Sequence, residues 1–363
     1  MNKGTNDNAA MLVRLHDKGA QPIVITSMSM GLKGHGKLPR YENMDGVPIH
    51  RLYRNSDEMF LFPHRQSVKV LQIAKSLRPD LIFCSQEMNI RLALMIQKYL
   101  DRPIAVLVED AGRIFSGASN NSPRTRFLMN LFGMPSGNKK FWFWLCEKAG
   151  VLITCHPRDQ RILSSLSNGK PVFYLPWPSY VPSDFEPSTI REKTRGIYVG
   201  SLFPFKNTQE FKWTLPLILE KTNTKQFVII GPGPHAAIIK KLKQKYSNRI
   251  CYIPQVSRND ALRAISSSFF AYTPVRTGGW GFIGDCWSMK TPIVMTHNDN
   301  YVSSNVNALV SKTDSDLVEN INQLYNDAGL YKKLQSNGYE EYTKRTAEVV
   351  GDKLYTILKL HCN

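Results

Sequence analysis

Short runs rich in Val and Ile alternate with amphipathic stretches along almost the whole chain, and this pattern constrains the fold more than any other feature. In the first half a helix carrying Met11, Leu12 and Leu15 is capped by Asn6 or Asp7 and stops at Gly19. PIVITS (22–27) reads as a buried strand. A helix over 66–77 places Val70, Ala74 and Leu77 on one face and precedes DLIFC (80–84). A helix over 87–100 leads into PIAVLVE (103–109), and one over 139–148 into VLITC (151–155). PVFYLP (171–176) closes this half. Continuous apolar strands separated by helices predict a parallel sheet covered on both faces.

The stretch PWPSYVPSDFEPS (176–188) breaks the alternation with four prolines and reads as a linker. The pattern then restarts. Strands are expected at 196–200, 226–231, 249–254, 269–274, 292–296 and 308–310. Helices are expected at 207–221, 234–246, 258–266 and 282–289, with helices filling the remainder. At 363 residues the chain is long for one hydrophobic core. The expected architecture is α/β, with two Rossmann-like doubly wound domains facing a cleft. The domains span 1–176 and 195–345, joined by a linker at 177–194, with a C-terminal helix over 346–363 that packs back on the first domain. An open α/β domain normally begins with a strand ending in a glycine-rich turn. Here the chain opens on a helix, with Asn2-Lys3-Gly4-Thr5 as the trace of such a turn. The usual first strand of the N-terminal domain is therefore expected to be lacking.

Hydrophobic residues make up 42% and charged residues 21%, which excludes disorder as the main state. No apolar run is long enough to span a bilayer. The 47 Lys and Arg against 29 Asp and Glu leave a net charge of +18, which favours an anionic partner such as a nucleotide, a nucleic acid or a lipid headgroup surface. None of the six cysteines forms a C-x-x-C pair, and they are expected to be reduced. The polar start MNKGTNDNAAM has no signal core, so a cytoplasmic protein is expected.

Three constellations in the second half carry candidate chemistry. In IYVGSLFPFKN (197–207) a strand ends at Gly200, and Lys206-Asn207 stand just before a helix. A cation beside free N–H groups at a helix start makes a phosphate site, although a plain βα loop with a solvated lysine reads the same way. In IIGPGPH (229–235) Gly231 and Gly233 precede Pro234. Glycine admits a ligand close to the backbone, and it also makes ordinary tight turns. In TPVRTGGWGFIGDCW (273–287) Gly278, Gly279 and Gly281 surround Trp280, and Asp285 follows one helical turn on. Exposed N–H groups there can hold a diphosphate, and an acid can accept from ribose hydroxyls. For Trp280 and Trp287 the competing reading is core packing. For Asp285 it is a carboxylate near the helix dipole. All three lie at the carboxyl ends of strands, where open α/β sheets bind ligands. Asp314-Ser315-Asp316 stands where a helix starts and reads as a cap.

On these residues the second half resembles the donor-binding domain of the GT-B glycosyltransferases, in particular the retaining GT4-like group. The matching elements are Gly200-Ser201-Leu202 with Lys206-Asn207, Gly231-Pro232-Gly233-Pro234, Gly279-Trp280-Gly281, Asp285-Cys286 and Thr291-Pro292-Ile293-Val294. The likeness spans roughly 190–345, and the first domain shares only the strand–helix pattern. The resemblance implies transfer of a sugar from a nucleoside-diphosphate sugar to a hydroxyl acceptor, with retention, in polysaccharide or lipid-linked glycan synthesis. It implies no metal and no cofactor beyond the donor.

Carried over residue by residue, the resemblance gives Lys206 and Asp285 catalytic roles. It gives donor contacts to Gly200, Ser201, Asn207, Gly231, Gly233, Pro234, Arg276, Thr277, Gly278, Gly279, Trp280, Gly281 and Phe282. Ser201 replaces the family's Arg, and Arg276 is a candidate substitute. The family's first carboxylate falls near Thr277 or Gly278, neither of them acidic. Asp285 is one methylene shorter than the family's Glu. Where relatives carry a His beside the sugar, this chain has Glu109-Asp110, either of which can orient the sugar or take the acceptor's proton. Their competing reading is a strand-end pair with Arg113.

Basic and aromatic residues mix over 124–148, which suits peripheral contact with the inner face of a membrane, while FWFWL equally suits a core helix. Two other readings stay open: a glycosyltransferase acting on a modified base of nucleic acid, and a catalytically degenerate binding protein on the same fold.

Overall fold

The structure, a computed structural model, describes residues 7–28, 38–54, 58–59, 62–85, 87–108, 139–182, 185–275, 280–297 and 301–361. The chain divides into two compact units, Asn8–Trp177 with Val350–Asn363, and Pro178–Val349 together with Asp7.

The first unit runs α1 (Asp7–Asp17), β1 (Val24–Ser27), β2 (Tyr41–Met44), β3 (Val47–Tyr53), α2 (Ser67–Leu77), β4 (Ile82–Cys84) and α3 (Ile90–Leu100). It continues with β5 (Ile104–Val108), α4 (Lys139–Lys148), β6 (Val151–Thr154), α5 (Pro157–Leu166) and β7 (Val172–Tyr174). Strands β4 to β7 make a parallel sheet in sequence order. Successive side chains of a strand point to opposite faces. Ile104, Val106, Val108 and Leu152 accordingly join a core with Val70, Ile96 and Trp142. Ala105, Leu107, Val151 and Ile153 join another with Met11, Leu15, Val350 and Leu354. A strand buried on both faces must be apolar throughout, which is why these runs show no alternation.

The remaining strands of this unit form a second sheet, β1-β3-β2, in which β1 pairs parallel and β2 antiparallel with β3. In a doubly wound sheet the first strand lies between the second and the fourth. Among the described residues no strand joins the sheet that ends at β1 to the sheet that begins at β4. The β2–β3 hairpin is an addition to the expected pattern. Asp45 (φ 49) and Gly46 (φ 89) make its two-residue turn, with positive φ at both central positions. The Asp-Gly pair beside the alternating run VPIHRLY carried that signal.

The second unit runs β8 (Glu192–Val199), α6 (Phe211–Lys221), β9 (Gln226–Ile230), α7 (Ala236–Tyr246), β10 (Ile250–Ile253) and α8 (Arg258–Ser266). Then come β11 (Ser268–Thr273), α9 (Trp280–Ser288), β12 (Ile293–Met295), β13 (Leu309–Val310), α10 (Asp314–Asn326) and α11 (Ala328–Thr343). Its six strands are parallel in the order β10-β9-β8-β11-β12-β13. The chain winds outward from β8 to β10, then returns to the other side of β8 at β11. The switch point therefore lies between the carboxyl ends of β8 and β11. Strand β8 starts at Glu192, inside the stretch expected to be linker. Helix α10 is capped by Thr313, whose hydroxyl accepts from the Asp316 backbone N–H while the Asp316 carboxylate accepts in return.

The last helix, α12 (Ala347–Lys359), belongs mostly to the first unit. Its Val350, Leu354 and Ile357 enter the core that holds α1. Asp352 receives two hydrogen bonds from Arg14, at 2.7 and 3.0 Å. Lys18 lies 3.3 Å from the same carboxylate.

Candidate functional site

The carboxyl edge of the six-stranded sheet is built from interlocked turns. After β8 the Gly200 amide donates to the Ile230 carbonyl at 2.9 Å, and the Leu202 amide to Pro232 at 2.8 Å. The His235 amide donates to the Leu202 carbonyl at 3.0 Å. The close approach requires Gly231 (φ 146) and Gly233 (φ 149). A Cβ at Gly231 would stand 2.0 Å from the Gly200 oxygen, and one at Gly233 2.4 Å from the Leu202 oxygen. The neighbouring turn thus fills the space that a side chain would need at these glycines. Pro234 is exposed beside them, ahead of α7.

Lys206 ends a short 3-10 turn, Pro204–Lys206, and its side chain is half-buried. Asn207 follows in the left-handed conformation (φ 57). Its side-chain amide donates to Glu210 Oε1 and, at 3.4 Å, to the Pro274 carbonyl beyond β11. It also lies 3.1 Å from His297 Nε2, and its oxygen accepts from Gln209 at 2.7 Å. The Asn207 side chain thus ties the Lys206 turn across the switch point. Ser201 is half-buried, and its carbonyl accepts from Tyr198 at 3.2 Å.

Three of the expected site residues lie on α9, and their side chains are buried. The Trp280 ring is buried, donates from Nε1 to the Pro178 carbonyl at 2.9 Å and packs 5.6 Å from Trp287. Phe282 is buried edge-on to Tyr198 at 5.3 Å. Both fill the core, the commoner fate of an aromatic side chain. Asp285, expected at the ribose, is 5% exposed, and both of its oxygens are taken by the Arg258 guanidinium of α8. Arg258 also donates to the Tyr180 carbonyl at 2.8 Å. Burial pushes the Asp285 carboxyl above its usual range, against the pull of Arg258. Helix α9 runs uninterrupted from Trp280, so position 285 turns toward α8 and not toward the sheet edge. Gly281 is exposed at the start of α9, with nothing within 4 Å of a Cβ built there.

Arg276, Thr277, Gly278 and Gly279 lie outside the described residues, as do Glu109 and Asp110. In the aromatic helix α4, Phe141, Trp142, Leu145 and Cys146 are buried and Phe143 is exposed, so this helix is chiefly core. No motif pointed to Glu210, Thr296, His297 or Arg258. The signal for the second and third was their place, immediately after the strand PIVM at the carboxyl edge. No group of three or more metal-ligating side chains occurs among the described residues. No described helix is long and apolar enough to cross a membrane.

What the edge brings together is Ser201, the Lys206 turn, the 231–235 turn with the start of α7, and Gly281 at the start of α9. Helix starts and a lysine at a switch point are chemistry suited to an anion. Residues 193–327 match the family of glycosyl transferases group 1. Over these residues the chain is similar to the group 1 glycosyl transferases. No curated protein matches the sequence.

Solved structures similar in fold include sucrose-phosphate synthase from Thermosynechococcus elongatus. It is 13% identical with a TM-score of 0.76, over 97% of this chain and 92% of that one. An α,α-trehalose-phosphate synthase (UDP-forming) from Burkholderia xenovorans is 12% identical with a TM-score of 0.67, over 95% and 100%. An Anabaena protein solved with UDP and glucose is 12% identical with a TM-score of 0.67, over 99% and 97%. At such identities the likeness concerns the fold, which is that of the GT-B glycosyltransferases.

Proposed function

We propose that the protein moves a sugar from a nucleoside-diphosphate sugar to a hydroxyl of a glycan or lipid-linked glycan, with retention. The observation that carries this reading is the Lys206 turn at the switch point between β8 and β11, bound through Asn207 to the loop after β11. As the glycosidic bond breaks, negative charge grows on the leaving diphosphate. An ammonium group and backbone amides fixed in advance stabilise that charge more in the transition state than in the ground state. Lys206 supplies the ammonium group, and the starts of α7 and α9 supply amides. Support also comes from the family match over 193–327 and from the UDP held by the Anabaena protein of the same fold. The net charge of +18 suits an anionic acceptor.

The test is titration with UDP and GDP sugars, with turnover followed by release of the nucleoside diphosphate. Lys206→Ala is expected to lower kcat/KM about 100-fold and to weaken nucleotide binding in calorimetry. Near-normal values would remove Lys206 from the site. A second reading, a donor-binding protein without turnover, is favoured by one observation: the Asp285 carboxylate is committed to Arg258. Tight binding of a donor with no product from any acceptor would establish it.

A further inference from the structure

Glu210 is an acidic side chain in a place that charge alone does not explain. It sits on the Thr208–Glu210 turn just ahead of α6 and is buried. A buried carboxylate is tolerated where donors converge on its oxygens. Here two donors and a histidine ring nitrogen, from two segments, do so. Oε1 takes the Asn207 side-chain amide and lies 3.1 Å from His297 Nε2, while Oε2 accepts from the Thr296 hydroxyl at 3.0 Å. Asn207 is the residue after Lys206, and Thr296 and His297 follow β12. Through Asn207 the same cluster reaches the Pro274 carbonyl beyond β11. One carboxylate thereby joins the turn after β8 to the end of β12 and, at one remove, to the loop after β11. Asn207 is in the left-handed conformation, which a non-glycine residue holds when its surroundings enforce it (φ 57). The Glu210 bond to its side chain is such an enforcement.

We propose that Glu210 is a positioning residue for the diphosphate site: without touching the ligand, it holds the Lys206–Asn207 turn in its binding geometry from underneath, with Thr296 and His297 as its anchors on the sheet. The proposal rests on the donor-site reading above. It explains how an ammonium group on a three-residue turn stays aimed, since a small misplacement of such a group is costly to binding and rate.

The test compares Glu210→Ala, Glu210→Asp and Glu210→Gln in the full chain, using UDP and GDP titrated by calorimetry well below each melting temperature. The fitted stoichiometry reports the folded fraction, so that affinity is read apart from stability. Gln keeps the length and one carbonyl acceptor, and its amide can donate to the Thr296 hydroxyl, so the bonding pattern survives without the charge. Ala is expected to weaken nucleotide binding about tenfold or more, while Gln stays within about threefold of the native chain. Asp keeps the charge but falls short of its partners. It is expected to behave like Ala, and it replaces Ala in the comparison if that variant does not fold. Amide exchange over 203–210 should quicken in Ala or Asp without nucleotide and stay native in Gln. Native affinity in folded Ala or Asp overturns the positioning role while leaving the donor site standing. A loss in Gln equal to that in Asp overturns it as well, because a side chain of the same length with the bonding pattern intact would then fail to hold the turn. A native chain that binds neither nucleotide removes the donor-site reading itself, and the proposal with it.

Discussion

Gly233 shows how a single residue's role depends on what lies across from it. Its place in a Gly-Pro-Gly-Pro string at a strand end was plain in the sequence, and a ligand or an ordinary tight turn suited it equally. What lies there is the Leu202 carbonyl, 2.4 Å from where a Cβ would stand. Gly233→Ala at φ 149 combines an unfavourable backbone with a clash against main chain. It should cost about 2 kcal/mol or more, read as a lowered urea midpoint at unchanged m. A native midpoint would mean the two turns are not locked. Asn207 teaches the same lesson: its proximity to a phosphate-type lysine was legible, but its four polar contacts within the protein were not. Those partners lie up to 90 residues away, and no local pattern announces them.

At the scale of elements, helices and strands were largely readable, because a parallel sheet covered on both sides forces apolar runs and amphipathic helices to alternate. The hairpin β2–β3 escaped because its Asp45-Gly46 turn sits between two longer α/β segments and adds an antiparallel pair to a parallel pattern. The pairing of α8 with α9 was not readable at all. Arg258 and Asp285 are 27 residues apart, and only packing shows that they close an ion pair, with the guanidinium reaching on to the Tyr180 carbonyl. Removing one member of a buried pair leaves the other charge uncompensated. Arg258→Ala should therefore destabilise the second unit by about 3 kcal/mol, measured by chemical denaturation. Arg258→Met combined with Asp285→Leu should recover most of that loss, since paired apolar replacements remove both desolvation costs. If the double variant were no more stable than the single one, the ion pair would be doing more than satisfying itself.

The molecule as a whole is not cut where the sequence is. The second unit is almost wholly one stretch, Pro178–Val349, with Asp7 added, whereas the first needs Val350–Asn363 in addition to Asn8–Trp177. Residues 178–349 expressed alone are expected to unfold cooperatively. Residues 1–177 alone are expected to lack a cooperative transition, because Val350, Leu354 and Ile357 complete the core around Met11, Leu15 and Leu107. Adding a peptide of 346–363 should restore the transition, and a cooperative melt of 1–177 without it would contradict this account.

By itself the sequence determined the class of fold, the order of most elements and the lysine-bearing turn at a strand's carboxyl end. All of these follow from short-range periodicity and from the backbone needs of particular residues. Tertiary structure alone decided which side chains are engaged inside the protein. Trp280, Phe282, Asn207 and Asp285 look free in a linear motif, yet they are spent on contacts inside the protein. Burial and hydrogen-bond partners are set by residues that are distant along the chain and adjacent only once it has folded.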